Sequence, residues 1–256
     1  MGRKVHRRER VKREKNRETD QTTMAAKPDL KLLGMSVSPF VIRVRMALHM
    51  KGVSHEYIEQ DLFNKSELLL ESSPVEKKVP VLIHDGKPVC DSPAIVQYID
   101  EVWAATGPPI LPADPYERAV ARFWTAYVDD KLFPAYAGTA KAATEEERTQ
   151  QINEMFAVMG QLEEAFAQCS NGKAFFAGDS IGNLDIAVGC NLLLLEVLRS
   201  MYGVEFVDTG RTPLLAAWAK RFGETDAARE VVPDVHVAVE YAKKRQAYWA
   251  AAAATK

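Results

Sequence analysis

Apolar and polar positions alternate with three different periods along this chain, and the periods change where turn residues cluster. Residues 30–35 (LKLLGM) are short and dense in apolar side chains, the pattern of a buried strand. After Ser38 the apolar positions Val41, Val44, Met46 and Leu48 predict an amphipathic helix with Pro39 in its first turn and Gly52 as its stop. Residues 55–59 alternate as an exposed edge strand does, and 66–71 read as a short helix ending before Ser73-Pro74. The stretch VPVLIHDGKPVCDS (79–92) is a strand opened by Pro80, a tight Asp85-Gly86 turn, a second strand and a helix start at Asp91-Ser92. Strand, helix, strand, short helix, hairpin, helix is the order of a small α/β domain with a mixed sheet.

That domain ends near Thr106. Residues 106–115 (TGPPILPADP) carry four prolines and one glycine, which neither helix nor sheet tolerates, so they read as an interdomain linker. Beyond it, residues 116–136, 145–169, 185–202, 213–222 and 235–249 show helical spacing of apolar residues without a strand or hairpin signal. The expected organisation is a basic disordered extension at 1–28, a thioredoxin-like βαβ-ββα domain at 29–107, a linker at 108–117, an all-helical domain at 118–249 and a frayed tail at 250–256.

Composition narrows the setting. The chain has 256 residues, 47% of them hydrophobic, which suits globular folding with a sizeable core. No apolar run approaches the ~18 residues of a membrane span, and the N-terminus lacks a secretory apolar stretch, so a cytosolic protein is expected. The three cysteines form no C-x-x-C pair and are odd in number, which argues against a disulfide framework or a zinc cluster. Residues 1–23 hold nine Lys/Arg against four acids, a net of +5, leaving −7 on the remainder beneath an overall −2. A nuclear-localisation or nucleic-acid arm is one reading of that segment. A disordered leader ahead of an internal Met24 is the preferred one, because the acidic remainder offers no second basic surface for a polyanion.

The chemistry concentrates in the first domain. Ser38 stands where a thioredoxin-fold redox enzyme would place the first cysteine of C-P-x-C. It cannot form a disulfide, but it can donate a hydrogen bond to a thiolate brought by a substrate, and the positive end of the helix after Pro39 acts in the same direction. A thiol of pKa ~8.5 is only a few per cent ionised at neutral pH, so a drop of about two units, worth roughly 2.7 kcal/mol, makes it mostly nucleophile. Ser-Pro also often does no more than cap a helix. A cis bond before Pro80, the tendency in this fold, would free the backbone of Val79 to pair with an extended peptide. The helix start at Ser92 suits a carboxylate and Asp91 an ammonium group, together an α-amino-acid end; Lys65 and Lys78 could meet the carboxylate at the other end of a small tripeptide. Against that stand an ordinary N-cap at Ser92 and solvated surface lysines.

The stretches SPFVIRVRMAL (38–48), DLFNKSELLL (61–70), KKVPVLIHDGKPVCDS (77–92) and ILPADPYERAVARFWTAYVD (110–129) together resemble the plant tau-class glutathione transferases, a resemblance running from residue 30 to about 245. It implies Ser38 as the catalytic residue, and Ser38, Lys65, Lys78, Val79, Asp91 and Ser92 as glutathione contacts. It also implies a homodimer packed through second-domain helices, and a lid-free cleft between the domains. The sequence departs from the family at Asp91, where Glu is usual. At 182–185 the capping box reads Gly-Asn-Leu-Asp, so Asp185 can reach back to the backbone while its reciprocal partner is missing.

An electrophile site is expected after Ser38 and along the first long helix of the second domain, with Phe40, Phe133 and Tyr136 as an apolar wall. Core packing is the competing role for these rings, most of all for Tyr136, and Trp124 and Tyr127 read as core or interface. The expected activity is conjugation of reduced glutathione to hydrophobic electrophiles, with reduction of organic hydroperoxides as a related use of the thiolate. Glutathione serves as co-substrate and no metal or other cofactor is expected. A non-catalytic carrier of glutathione conjugates or apolar ligands is the alternative, and retention of Ser38 favours catalysis. A dimer scaffold is disfavoured by the intact set Lys65, Lys78 and Ser92, and thiol-disulfide exchange by the absence of a cysteine at 38.

Overall fold

The computed structural model describes residues 29–254; the expected basic extension at 1–28 lies outside them. The first half runs β1 (Leu30–Gly34), α1 (Pro39–Met50), β2 (Glu56–Glu59), α2 (Glu67–Ser72), β3 (Val81–His84), β4 (Lys87–Cys90) and α3 (Ser92–Val102). The sheet order is β2-β1-β3-β4, with β1 parallel to β2 and antiparallel to β3, and β3 antiparallel to β4. Alternation sorts the strand residues by face: Leu32 and Leu82 join the large core with α1 and α3, while Leu33, Val81 and Ile83 pack with Leu69 of α2. This is the thioredoxin-like mixed sheet expected from the sequence.

One consequence of this topology places the site. β1 and β2 run toward the same end of the sheet, β3 begins there and β4 finishes there. The segments after β1, after β2, before β3 and after β4 therefore meet at a single edge. Those are the segments that carry Ser38, Lys65, Val79 and Asp91-Ser92.

The second half is helical: α4 (Pro115–Tyr127), a π-turn (Val128–Leu132), α5 (Phe133–Lys141), α6 (Glu145–Cys169), α7 (Asn183–Gly189), α8 (Leu192–Tyr202), α9 (Pro213–Gly223), α10 (Asp226–Val231) and α11 (Val235–Ala254). The single helix expected over 116–136 is three segments. Pro134 cannot donate an N–H and its ring crowds the carbonyl four residues back, which the wider π ladder accommodates. The helix expected over 185–202 is also divided, where the Asn191 amide donates to the Ala187 carbonyl at 2.9 Å and competes with the backbone ladder. α10 is too short for periodicity to reveal; Thr225 caps it, accepting from the Ala228 N–H at 3.3 Å. α11 remains helical through Ala254, beyond the expected start of fraying.

Asp185 organises the helical half. The carboxylate accepts from the Gly182 N–H (3.0 Å), as the sequence suggested, and also from the Phe176 N–H (2.9 Å), the Ala177 N–H (3.1 Å) and the Trp218 indole N–H (2.8 Å). Phe166, Phe176, Trp218 and Phe222 stack in series around it. Gly189 is required here, since a Cβ would lie 2.1 Å from the Phe222 ring.

A buried ion pair ties the linker down. Lys51 at the end of α1 meets Asp100 of α3 at 2.7 Å, and Asp100 also accepts from the Ile110 and Leu111 N–H groups at 2.9 Å each. Burial pushes the Asp100 carboxyl up, but Lys51 and the two amides outweigh it and hold the group below its ordinary range. A depressed carboxylate contributes stability that is present above its unfolded pKa of ~3.9 and lost as pH falls through the folded value. Chemical denaturation should therefore show wild-type stability falling more steeply than that of Asp100→Asn below about pH 4. At neutral pH the variant should be less stable by about 3 kcal/mol, because Lys51 is left buried without its counter-charge.

Candidate active site

The turn between β1 and α1 is anchored before it delivers Ser38. The Ser36 N–H donates to both Glu59 carboxylate oxygens, at 3.1 and 3.2 Å, and the Ser38 N–H donates to the Met35 carbonyl at 2.9 Å. Gly34 allows α1 to approach, since a Cβ there would sit 2.6 Å from Val41 Cγ1 and 3.0 Å from the Tyr57 ring. Ser38 is buried at the N-terminus of α1, yet its side chain makes no capping bond, and its hydroxyl has no hydrogen-bond partner among the described residues. The simple capping role considered from the sequence does not describe it.

The Val79-Pro80 bond is cis, and Val79 precedes β3 without a backbone hydrogen bond among the described residues. The β3–β4 register, Val81 opposite Cys90, carries Val79 toward Asp91 and Ser92. Asp91 has φ +73° and ψ 117°, a sparsely populated conformation for a residue with a Cβ, and its side chain also makes no cap. Such backbone costs of order 1–3 kcal/mol and tends to mark a ligand site. On the other side, Lys65 Nζ donates to the Lys77 carbonyl at 2.8 Å, which brings Lys65 next to Lys78; Lys78 is exposed and paired with Glu76 at 2.5 Å.

Ser92 leads to the group that sequence reasoning missed. Its hydroxyl accepts from Arg43 Nη1 at 3.1 Å, and the same guanidinium grips Asp129 through Nη1 (2.8 Å) and Nη2 (2.5 Å). Arg43 is 1% exposed, so α1 is not the amphipathic helix the spacing suggested but one buried on most sides. Burial opposes its charge, but Cys190 and Asp129 outweigh that and raise its pKa, while burial raises the Cys190 thiol to about 11. The signal was available in IRVR, two arginines two positions apart in an apolar helix: Arg45 is only partly buried and donates instead to the Val231 carbonyl of α10 at 3.2 Å.

The three aromatic residues expected as an electrophile wall are brought together. Phe40 and Phe133 meet edge to face with centroids 4.8 Å apart, and Phe133 lies 6.1 Å from Tyr136. All three are half-buried. Trp124 and Tyr127 pack on each other at 5.3 Å. On the far side, Tyr248 and Tyr241 of α11 lie 5.0 and 6.0 Å from Phe63, and Lys244 stands over that ring at 4.9 Å. Among the described residues no group of three His, Cys, Asp or Glu side chains is placed to hold a metal ion.

Comparison with known proteins places the chain in a family with this fold. Residues 32–106 match the glutathione S-transferase N-terminal domain family. The chain is 51% identical to a probable glutathione S-transferase GSTU6 of rice, over 82% of this chain and 91% of that one. It is 48% identical to glutathione S-transferase U17 of Arabidopsis thaliana, over 86% and 96%. A tau-class glutathione S-transferase from mango superposes with a TM-score of 0.80 at 47% identity, covering 84% and 97% of the two chains. This chain is a tau-class glutathione S-transferase. A rice transferase crystallised in complex with glutathione also superposes, with a TM-score of 0.79 at 33% identity, covering 88% and 99%.

In this transferase Arg43 joins the two halves and positions Ser92 at once. Asp129→Asn keeps the shape and removes the counter-charge, and it should cost about 3 kcal/mol because Arg43 stays buried. A rise in the Kd for glutathione should accompany the fall in Tm, measured by calorimetry on the same preparation.

Proposed function

We propose that Ser38 is the catalytic residue of this transferase, donating its hydroxyl hydrogen to the glutathione sulfur. The observation that carries the proposal is the Ser38 hydroxyl, without a hydrogen-bond partner among the described residues, on a residue set at the positive end of α1. Both features favour thiolate over thiol, so the thiol proton leaves to solvent when glutathione binds. Val79 pairs with the tripeptide backbone through strand addition. Ser92 and the first-turn amides of α3 take the α-carboxylate and Asp91 the ammonium group, while Lys65 and Lys78 take the glycyl carboxylate.

The thiolate then attacks an electrophilic carbon held against Phe40, Phe133 and Tyr136. With an aryl halide the carbon–sulfur bond forms and the halide departs with its bonding pair. Organic hydroperoxides would be reduced by the same thiolate: sulfur attacks the O–O bond, a solvent proton completes the alcohol and the sulfenic acid, and a second glutathione converts that acid to disulfide and water. Glutathione is a co-substrate here, and no other cofactor enters. We also propose a cytosolic homodimer; no described helix is long and apolar enough to cross a membrane, and Phe123 on α4, 61% exposed, supplies apolar area for an interface.

With 1-chloro-2,4-dinitrobenzene, Ser38→Ala should lose about 100-fold in kcat/KM, matching a rise of about two units in the pKa of the bound thiol. Its Kd for glutathione should stay within a few-fold of wild type. Retained turnover in the variant would remove Ser38 from the chemistry, and wild-type binding without turnover would favour a carrier. Ser38→Cys should gain glutathione-dependent disulfide exchange and lose conjugation.

A further inference from the structure

A set of charged groups between α5, α6 and α11 is used neither by the thiol chemistry nor by the core. On α11, Tyr241, Arg245, Tyr248 and Trp249 recur at helical spacing and so share one face. That face is turned toward the first domain, because Tyr241 and Tyr248 both touch Phe63, two residues from Lys65. Arg245 lies between neutral partners: Nη1 donates to the Tyr241 hydroxyl at 3.3 Å and the guanidinium stands 4.9 Å over Trp249. Glu240 on the same helix is engaged with Lys243 at 2.9 Å, and no carboxylate pairs with Arg245 among the described residues.

A second guanidinium approaches from α6. Arg148 stands 4.9 Å over Tyr202, whose hydroxyl is bonded at 2.5 Å to Gln246, the neighbour of Arg245. Its Nε is buried without a hydrogen-bond partner, and it too lacks a carboxylate among the described residues. Gln246 also donates to the Ala140 carbonyl at 3.0 Å, one turn past Tyr136, which seats this cluster against the end of the aromatic wall. Burial pushes the Tyr136 phenol up to about 12, so at neutral pH it remains a hydrogen-bond donor. Half-buried guanidinium groups that no carboxylate pairs with are open to an anion, and their fork matches a carboxylate in shape.

We propose that Arg245, seconded by Arg148, receives the carboxylate of an apolar electrophile whose reactive carbon faces the Ser38-held thiolate. The preferred acceptors are then amphipathic, with an aromatic or aliphatic body along Phe40 and Phe133 and an anionic end under α11. This inference rests on the transferase reading of the Ser38 site for its chemistry, but not for its binding.

Two measurements separate the two. Isothermal titration of 4-phenylbutanoate and 4-phenylbutanamide into wild type should show about tenfold tighter binding of the carboxylate. That preference should be lost in Arg245→Gln and kept in part by Arg245→Lys, which retains the charge without the fork. Equal binding of the two compounds to wild type, or an undiminished preference in Arg245→Gln, would overturn the proposal. Conjugation of trans-3-benzoylacrylate and its ethyl ester, in which sulfur adds across the activated double bond and a proton adds to the adjacent carbon, should favour the acid in wild type and lose that bias in Arg245→Gln. A wild type that turns over neither acceptor yet binds phenylbutanoate through Arg245 would overturn the Ser38 reading and leave the anion site supported.

Discussion

A charge taken out of water must be answered where it lies, and Arg43 is the group on which this structure most depends. Its guanidinium is enclosed by both halves of the molecule, and Asp129 neutralises it from the second half while Ser92 fills a remaining donor from the first. The linker run of prolines could not by itself hold two domains in register. Arg43 can, because any relative shift leaves a buried cation short of its partner. The Lys51–Asp100 pair does similar work at the other end of α1, fastening the linker amides to the first domain. The relation of Ser38, on α1, to Phe133, beyond Asp129, is therefore set by electrostatics as much as by apolar packing.

The topology of the sheet explains why six candidate residues scattered over 38–92 form one constellation. Strand ends converge because β1 and β2 are parallel while β3 and β4 reverse direction. The arrangement could be read from the hairpin, the Ser-Pro junction and the helix start, since each is a local signal with its own turn chemistry. Asp185 was readable for the same reason, as its bond to the Gly182 N–H spans three residues. Its further partners at Phe176, Ala177 and Trp218 depend on how distant segments meet, and no period in the sequence encodes that.

What the sequence concealed has the same origin. Periodicity sorts residues by face but does not say which face is buried twice, so Arg43 was indistinguishable from Arg45 until the π-turn carrying Asp129 was laid beside it. The π-turn was hidden because Pro134 in an apolar run reads equally as a helix end or as a widened helix. α11 carried a clear helical pattern, yet its contact with Phe63 joins residues nearly two hundred positions apart. Such long-range contacts define the proposed electrophile end of the site, which is why the proposed glutathione end was the more readable of the two.

The π-turn also divides labour along a single helical path. Asp129, which clamps the two halves, lies within this widened turn, and Phe133 with Tyr136, which form the aromatic cluster, follow it directly. In an ordinary helix each residue gained or lost rotates everything downstream by about 100°. A one-residue change after Asp129, at 130–132, would swing the aromatic rings around the axis while α4 and Asp129, with its hold on Arg43, stayed where they are. Pocket shape can thus diverge between related chains without disturbing the joint between the two halves.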